Sequence, residues 1–476
     1  MAGLSAGQFQ YALQPIAVWL GVALLLVCIG RFGLLGIVGV TLFGITLGLY
    51  RGALIAEQLN AYDAWIDSKI TLQVSASEDA VYGKNGQWTF VGVDVTDPQA
   101  DRALPGKIGV SGFGPNAIYQ DDVLLVEGKL RKGIGAYQGF MSFATVSVIE
   151  RNPSIITKLR RTFGAGMISA LPEPLASFSM GILIGQRASL PEEVKDHLQM
   201  VGLTHIVAVS GANLTIMLEA CRKVLAKSSK RLATFSALGL MLVFVLMTGG
   251  SASIIRAGFV SALSVAAAYY GRRTRPLLII SMVAAVTAFI DPVYIRGDAS
   301  WYLSFLAFFG VLMVSPVMQS RLPGAFQRNI ILAVALESIC AEIMSLPYVL
   351  YTFGEMSHVS LFANIVVVTM IPLAMLLSLI AGLAGTFLRP LAGWFSWPAE
   401  LLLMYMLDAA HLLASLPNAF QSGVRIALPG LLLLYGTIAV MVGLLGFKDS
   451  RKSVRITDIM PDSEAINPYK NFGRMS

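Results

Sequence analysis

The chain alternates between long apolar stretches and short polar connections. Apolar runs of roughly membrane-spanning length can be found at about eleven places, from residues 16–29 near the start to residues 428–447 near the end. A helix that crosses the hydrocarbon core needs about 20 mostly apolar residues. The pattern therefore predicts a polytopic α-helical membrane protein of about eleven spans.

Positive charges fall mainly on every second connection between these stretches. Loops that carry excess Lys and Arg stay on the cytoplasmic side of a membrane. This distribution predicts that the N-terminus lies outside and that the tail, residues 448–476, is cytoplasmic. The charges that set this orientation are Arg31, Arg222, Lys223, Lys227, Lys230, Arg231, Arg272, Arg273, Arg275, Arg321, Arg328, Arg389, Lys448, Arg451, Lys452 and Arg455.

One region, residues 67–151, breaks the apolar pattern and faces outward in this topology. Five runs in it alternate between apolar and polar positions and are separated by turn residues, which predicts five short strands. Five strands in so short a region favour a small closed β-barrel of the OB type, with a sandwich fragment as the alternative. The predicted strands are Ile70 to Ala76, Trp88 to Val95, Lys107 to Phe113, Val123 to Leu130 and Phe140 to Ile149.

The remaining divisions follow from the same pattern. Residues 1–56 are predicted to form a transmembrane hairpin, and residues 201–447 the main transmembrane domain. Between the barrel and that domain, residues 154–200 carry apolar positions at helical spacing with basic residues on another face. We expect amphipathic helices there, lying along the membrane surface.

The main transmembrane domain begins with a segment of unusual polarity. Residues 202–213 contain His205, Ser210, Gly211 and Asn213. Polar or irregular backbone at membrane depth is tolerated where it lines water or is buried in protein, so a broken helix in a transport pathway is one interpretation. Close helix packing through small residues is the other.

Three charged residues lie inside later apolar stretches. Arg256 follows a run of small residues that ends at Ser253, and Glu337 and Glu342 lie together in one stretch. An intramembrane arginine faces a cavity, a partner or the interface, so Arg256 either meets an anion such as phosphate or snorkels to the membrane boundary. The two glutamates are predicted to be ion-pair partners of Arg256 or, alternatively, a proton or cation site.

Composition narrows the function classes. Only 13% of the 476 residues are charged and 55% are hydrophobic, which excludes a soluble enzyme. The four histidines form no zinc-ligand pattern, and His205 and Ser210 lie five positions apart on one helix, without an elbow motif or a third triad member. We therefore predict no catalytic residues, no metal and no cofactor.

An ordered series of short motifs runs through residues 185–364: Gly185-Gln186-Arg187, Leu190-Pro191, residues 202–213, Ala252 to Ala257, Gly271-Arg272, Asp291-Pro292, Tyr302 to Ala307, Leu346-Pro347, Tyr351 to Gly354, Ser360 and Ala363-Asn364. This series resembles the ComEC family of competence proteins. That resemblance implies a bacterial inner-membrane channel which carries single-stranded DNA into the cytoplasm during natural transformation. It also adds Arg187 and Asn364 to His205, Ser210, Gly211, Asn213, Ser253 and Arg256 as candidate pore residues.

The chain also departs from the family pattern. Asn213 stands where the family usually has a second histidine, and no His-x-His-x-Asp-His cluster of a metallo-β-lactamase-like domain is found. No Gly-x-x-x-x-Gly-Lys loop occurs either. We therefore expect a separate nuclease, an outer DNA receptor and a cytoplasmic motor ATPase as partners.

Three functions stay open at this point. The first is the DNA channel, the second is a channel or transporter for another polar or anionic solute, and the third is a membrane anchor that presents the barrel to partners. The barrel region carries ten acidic and eight basic residues, so its charge does not favour tight DNA binding. A DNA-contacting barrel and a structural or receptor-docking barrel remain equal alternatives.

Overall fold

The computed structural model describes residues 33–446, except for gaps at 84–85, 99–101, 115–116, 134, 136, 152, 187–188, 208–210, 212, 215–216, 219–229, 250–251, 271–275 and 324–329. The first part of the predicted hairpin and the predicted tail lie outside these residues. So do two of the candidate pore residues, Arg187 and Ser210.

The region over residues 67–151 folds as a sheet domain, and all five predicted strands are present. The sheet also contains two short strands, of two and three residues, that the alternation pattern does not predict. They lie in segments that the sequence analysis assigns to turns. The strands are β1 (Lys69–Ala76), β2 (Val81–Tyr82), β3 (Gln87–Asp97), β4 (Arg102–Leu104), β5 (Lys107–Phe113), β6 (Asp122–Lys132) and β7 (Tyr137–Arg151).

The sheet has the strand order β1-β6-β7-β5-β3-β2, with β4 paired to β3. β1 makes an additional, bulged pairing with β3, and β5 and β7 are the parallel pair among otherwise antiparallel neighbours. The structure thus contains a seven-stranded sheet domain where the sequence predicts a five-stranded closed barrel.

The core of the sheet domain follows the alternation seen in the sequence. Leu72 and Val74 are buried, and so are Trp88 and Phe90. Burial of both aromatic rings removes them from any role in stacking on a ligand.

The sheet domain rests on helix α1 (Gly33–Asp63), which continues seven residues past the predicted end of the hairpin. Ile55, Leu59 and Tyr62 of α1 belong to the same buried apolar cluster as the strands. The end of this helix therefore packs into the core of the sheet domain, and residues 64–68 connect it to β1.

Fifteen further helices follow among the described residues. They are α2 (Ile155–Ala170), α3 (Leu175–Ile184), α4 (Glu192–Met200), α5 (Thr204–Val207), α6 (Lys230–Met247), α7 (Ala252–Tyr269), α8 (Pro276–Ile290), α9 (Val293–Gly297), α10 (Ala299–Phe309), α11 (Ser315–Gln319), α12 (Ile330–Thr352), α13 (Ser360–Val367), α14 (Ile371–Phe387), α15 (Ala392–Ala414) and α16 (Leu428–Gly446). A short π-helical turn, Gly310–Val314, joins α10 to α11, and strands β8 (Glu355–Ser357) and β9 (Phe420–Ser422) pair with each other.

The helices over residues 154–200 differ from the surface helices that the sequence predicts. α2 is amphipathic, and Ser154 caps it by accepting a hydrogen bond from the backbone of Thr157 at 3.1 Å. It nevertheless packs closely on α14, because Gly166 lies against Gly385 with no room for a side chain at either position. Every residue of α3 is buried, so this helix is part of the core.

The described residues contain two helical segments that are long and apolar enough to cross a membrane, Ala299–Gln319 and Ser360–Phe387. Six shorter apolar helices accompany them. The sequence predicts about eleven spans, and the described residues contain two candidates of full length.

Large apolar side chains cover the outer surface of the helical region. More than two thirds of the surface is exposed in each of four residues: Phe387, Trp394, Leu433 and Leu444. An apolar surface of this extent is costly in water and suits contact with lipid.

Candidate functional site

Arg256 lies in the second turn of α7 and is completely buried. Its Nη2 donates a hydrogen bond to the carbonyl oxygen of Ser300 at 2.8 Å, and its guanidinium carbon lies 5.3 Å from the centre of the Phe305 ring. Its Nε and Nη1 have no hydrogen-bond partner among the described residues. A buried cation with two unused donors is costly, which makes Arg256 the strongest signal for a binding site in the helical region.

The position of α10 against Arg256 is fixed by its cap. Asp298 accepts a hydrogen bond from the backbone of Trp301 at 3.1 Å, and this contact starts the helix. The indole of Trp301 then donates to Thr287 of α8. These contacts hold Ser300 and Phe305 in place over the guanidinium.

The predicted ion pairs of Arg256 are not formed. Among the described residues every ion pair within 4.0 Å lies in the sheet domain or in α4, and none includes Glu337 or Glu342. Arg256 faces α10, whereas Glu342 faces α13. Spacing along the sequence does not tell which helices are neighbours, and this is why the pairing prediction fails.

Glu342 of α12 is the centre of a second polar cluster. Its Oε1 accepts a hydrogen bond from the hydroxyl of Ser360, and its Oε2 accepts one from Nδ2 of Asn364 at 3.4 Å. The Oδ1 atom of Asn364 and the hydroxyl of Ser357 are buried without a partner among the described residues. Glu337 lies about 140° around the helix from Glu342 and does not join the cluster.

The segment over residues 202–213 begins at this second cluster. Gly202 has a φ of +77°, and a Cβ atom there would lie 2.9 Å from the Cβ of Ser360 and 3.5 Å from that of Ser357. Only glycine satisfies both the left-handed backbone and the close approach. His205 then turns back, with its Nδ1 3.1 Å from the carbonyl oxygen of Gly202.

The same segment ends beside the helix of Arg256. A Cβ atom at Gly211 would lie 2.9 Å from the Cβ of Ala257 and 3.3 Å from Cζ of Phe308. Asn213 is buried and donates from Nδ2 to the carbonyl oxygen of Ile182 in α3, at 3.1 Å. The described residues of the segment thus contact the Glu342 cluster at one end and α7, next to Arg256, at the other. Ser253, half-buried, lies one turn before Arg256 on the same helix.

A third polar cluster joins the sheet domain to the helices, and the sequence alone does not reveal it. Asp121 accepts hydrogen bonds from the backbone of Ser154 at 3.2 Å and from the hydroxyl of Thr157 at 2.5 Å. Arg160 donates to the side chain of Gln120 and, from Nε, to the carbonyl oxygen of Met247 at 2.8 Å. The signal that the sequence offers for this cluster is a basic residue, Arg160, six positions after the helix cap Ser154.

Opposite charges in this third cluster, the junction between the sheet domain and α2, stabilise each other. Burial raises the pKa of Asp121, but the hydrogen bonds from Thr157 and Ser154 and the charge of Arg160 outweigh it and leave the pKa below its usual value. Burial lowers the pKa of Arg160, and Asp79, Glu78 and Asp121 oppose that shift. Gln186, next to the undescribed Arg187, donates to Asp79 at 3.4 Å. The motif that contains Arg187 therefore meets the sheet domain.

An exposed aromatic pair lies on the sheet domain, and the sequence does not predict it. The rings of Phe113 and Phe143 stack with centres 5.8 Å apart and are 51% and 76% exposed. Phe143 has a φ of +57°, and the β6–β7 register shifts beside it. A bulky residue with positive φ is strained, and a bulge that turns a side chain outward is a recurrent feature of functional sites.

Comparison with known proteins decides the family. The sequence model of the competence protein family matches residues 182–448, which begin in α3 and include the Gly202–Asn213 segment, Arg256 and the Glu342 cluster. The chain belongs to the competence protein family. This membership agrees with the ComEC resemblance of its motifs.

Within this family, the chain is similar to ComE operon protein 3 of Bacillus subtilis (strain 168). The two are 25% identical over 247 residues, which cover 50% of this chain and 31% of the relative. No solved structure matches the chain. No group of three or more His, Cys, Asp or Glu residues suited to a metal ion occurs among the described residues of this competence protein.

Proposed function

We propose that this competence protein is a multi-pass channel of the bacterial inner membrane that carries single-stranded DNA into the cytoplasm during natural transformation. The observation that carries the proposal is the unsatisfied Arg256 guanidinium beside the 202–213 segment. A strand brings one negative charge per nucleotide, so a path through apolar helices needs fixed positive groups. Arginine suits phosphate because it offers several donors in a planar fork.

The structure corresponds in this proposal to the closed channel. Ser300 and Phe305 cover Arg256, so a strand reaches the guanidinium only when α10 moves away from α7. The phosphate then takes the place of the Ser300 carbonyl and uses the Nε and Nη1 donors. The π-helical turn between α10 and α11 supports such a movement, because π turns are local irregularities that often accompany function.

The remaining candidates take roles around this path. We assign Gly211 and Ser253 to its wall next to Arg256, and Gly202, His205 and Asn364 to the end near Glu342. Asn213 acts as a packing residue, because its amide is used on α3. Arg187 and Ser210 stay candidates from the family resemblance.

The sheet domain forms the outer vestibule in this proposal. Phe113 and Phe143 supply a stacking platform for bases, since stacking on exposed aromatic rings is sequence-tolerant. The same proposal places the N-terminus outside and the C-terminus in the cytoplasm. It divides the chain into a transmembrane hairpin (1–56), the sheet domain (67–151), a helical connection (154–200), the channel domain (201–447) and a tail (448–476).

The energy and the strand separation come from partners. We propose that the chain is not an enzyme, that a nuclease degrades the other strand, that an outer receptor delivers DNA, and that a cytoplasmic ATPase pulls it. The sequence has no phosphate-binding loop of the Gly-x-x-x-x-Gly-Lys type, which supports the motor as a separate protein. Cleavage of DNA by the purified protein in the presence of Mg²⁺, Mn²⁺ or Zn²⁺ would contradict the proposal that the chain is not an enzyme.

The test is uptake of labelled double-stranded DNA by a deletion strain complemented with variants. Arg256→Ala and Arg256→Gln should abolish nuclease-protected label in the cytoplasm while surface-bound label persists, and Arg256→Lys should retain part of the uptake. Membrane abundance of each variant is the control for folding. Unchanged uptake in the deletion strain would instead favour a channel for another anionic solute.

The outer platform has its own test with the full chain in lipid nanodiscs. Phe113→Ala and Phe143→Ala should each weaken binding of a labelled oligonucleotide by about 1 to 3 kcal/mol. Ile155→Ala is a matched control, because Ile155 is an exposed apolar residue outside the sheet. Equal binding by all three variants would assign the sheet domain to a structural or receptor-docking role.

A further inference from the structure

Two histidines on neighbouring helices face each other outside the site described above. His197 lies in α4 and His411 in the last turn of α15, and these helices pack together. Nε2 of His197 is 3.4 Å from Nδ1 of His411, and the ring centres are 4.6 Å apart. His411 is exposed and His197 is half-buried, so the pair lies at the surface of the described residues.

The separation of the two nitrogens is long for a hydrogen bond and suits a shared metal ion. N–H donors usually lie about 2.7 to 3.2 Å from their acceptors. Zn²⁺ binds imidazole nitrogen at about 2.0 to 2.1 Å in tetrahedral geometry, which places two such ligands about 3.3 to 3.4 Å apart. The rings are inclined by 65°, so they do not stack face to face.

We propose that His197 and His411 bind a transition-metal ion of the Zn²⁺ class, one ligand from each helix. Imidazole is the ligand type that Zn²⁺, Cu²⁺ and Ni²⁺ share. The described residues provide no set of three His, Cys, Asp or Glu ligands, so water fills the other positions. Carboxylates lie one turn away on both helices, Glu193 before His197 and Asp408 before His411, and favour a cation electrostatically.

The metal would connect α15 to the entrance of the 202–213 segment. α4 ends at Met200, two residues before Gly202, and Gly202 packs directly on Ser360. A metal bridge between α4 and α15 therefore restrains the helix that leads into the segment. This inference concerns metal binding and holds whether or not the chain transports DNA.

The test measures Zn²⁺ binding to the full chain, purified in detergent with a tag that contains no histidine. Wild type should bind a single ion at micromolar concentration, and His197→Ala and His411→Ala should each weaken the affinity by at least about tenfold. His358→Ala is the matched control, because His358 is an exposed histidine next to Gln421 and away from the pair. Its affinity should equal that of wild type.

Two further readouts separate a metal site from a hydrogen-bonded pair. Zn²⁺ should raise the unfolding temperature of wild type and of His358→Ala but not of the two pair variants, and EDTA should reverse the rise. Co²⁺ should give the visible absorption of a tetrahedral ion with nitrogen ligands in wild type and in His358→Ala, and in neither of the two pair variants. Absence of Zn²⁺ binding, or equal binding by the wild type and both pair variants, would overturn the inference and leave the two rings as a hydrogen-bonded pair.

Discussion

Gly211 and Ala257 pack so closely that a Cβ atom at position 211 would lie 2.9 Å from the Cβ of Ala257. Ala257 follows Arg256 on α7, so the contact sets the distance between the 202–213 segment and the buried guanidinium. Real Cβ atoms essentially never approach this closely. One added methyl group at position 211 must therefore displace α7.

This contact predicts that Gly211→Ala reduces stability by about 1 to 3 kcal/mol and reduces DNA uptake. Adding Ala257→Gly should restore both in part, because it removes the methyl group that clashes. Gly239→Ala on α6 is the control, since a Cβ atom there meets nothing within 4 Å. Unfolding in detergent and uptake are the measurements, and a Gly211→Ala variant that behaves like Gly239→Ala would refute the contact.

The Ser360 hydroxyl is a donor to the Glu342 carboxylate, and its loss has a predictable cost. Ser360→Ala removes a hydrogen bond to a charged group and should lower the free energy of unfolding by about 1.5 to 3 kcal/mol. Ser345→Ala is the control, because the Ser345 hydroxyl donates to the Ala341 carbonyl within its own helix. Equal losses for the two serine variants, measured by denaturant unfolding, would contradict the cluster.

Asp121 makes the junction between the sheet domain and α2 sensitive to pH. Its pKa is lower in the folded protein than in the unfolded chain, so its stabilising effect is present above the unfolded value and is lost as pH falls through the folded value. Asp121→Asn keeps a residue that tolerates the φ of +67° and removes the charge. The variant should be less stable than wild type by about 1 kcal/mol at neutral pH.

The difference between wild type and Asp121→Asn should shrink as the pH falls below about 4, because the wild-type carboxyl then becomes neutral as well. Thermal unfolding of both proteins at several pH values checks this. A gap that stays constant, or that widens in acid, would mean that the charge of Asp121 does not stabilise the junction.

Arg160 should contribute more to the free energy of unfolding than its neighbour Arg161. Arg160→Met keeps the length of the side chain but removes the donors to Gln120 and Met247, and should cost about 2 kcal/mol or more. Arg161 is exposed, lies over the Tyr119 ring at 5.0 Å and bonds the Gln120 carbonyl at 3.3 Å, so Arg161→Met should cost less than about 1 kcal/mol. Denaturant unfolding of the two variants tests this prediction. A larger loss of stability in Arg161→Met than in Arg160→Met would contradict it.

Periodicity in the sequence predicts local structure well in this chain. Leu72 and Val74 alternate with polar residues and are buried in β1 as expected, because the period of a strand leaves its mark on every second residue. Phe143 is the exception within the same sheet. A bulge shifts the alternation beside it and turns an aromatic ring outward, and no pattern of apolar residues marks that position.

Contacts between helices are less accessible from the sequence. An arginine and two glutamates in apolar stretches suggest ion pairs, yet Arg256 uses a backbone carbonyl and a phenyl ring, and Glu342 uses a hydroxyl and an amide. Which charges meet depends on which helices are neighbours, and helical periodicity does not contain that information. His197 and His411 are 214 positions apart and meet for the same reason.

The central claim is that DNA passes Arg256, and crosslinking during uptake tests it most directly. A photoreactive amino acid at Ser253, one turn from Arg256, should crosslink to labelled single-stranded DNA in transforming cells. The same amino acid at Leu433, which is 72% exposed on the outer surface of α16, should not. A strand crosslinked at both positions equally, or at neither while uptake proceeds, would contradict a path through α7 and α10.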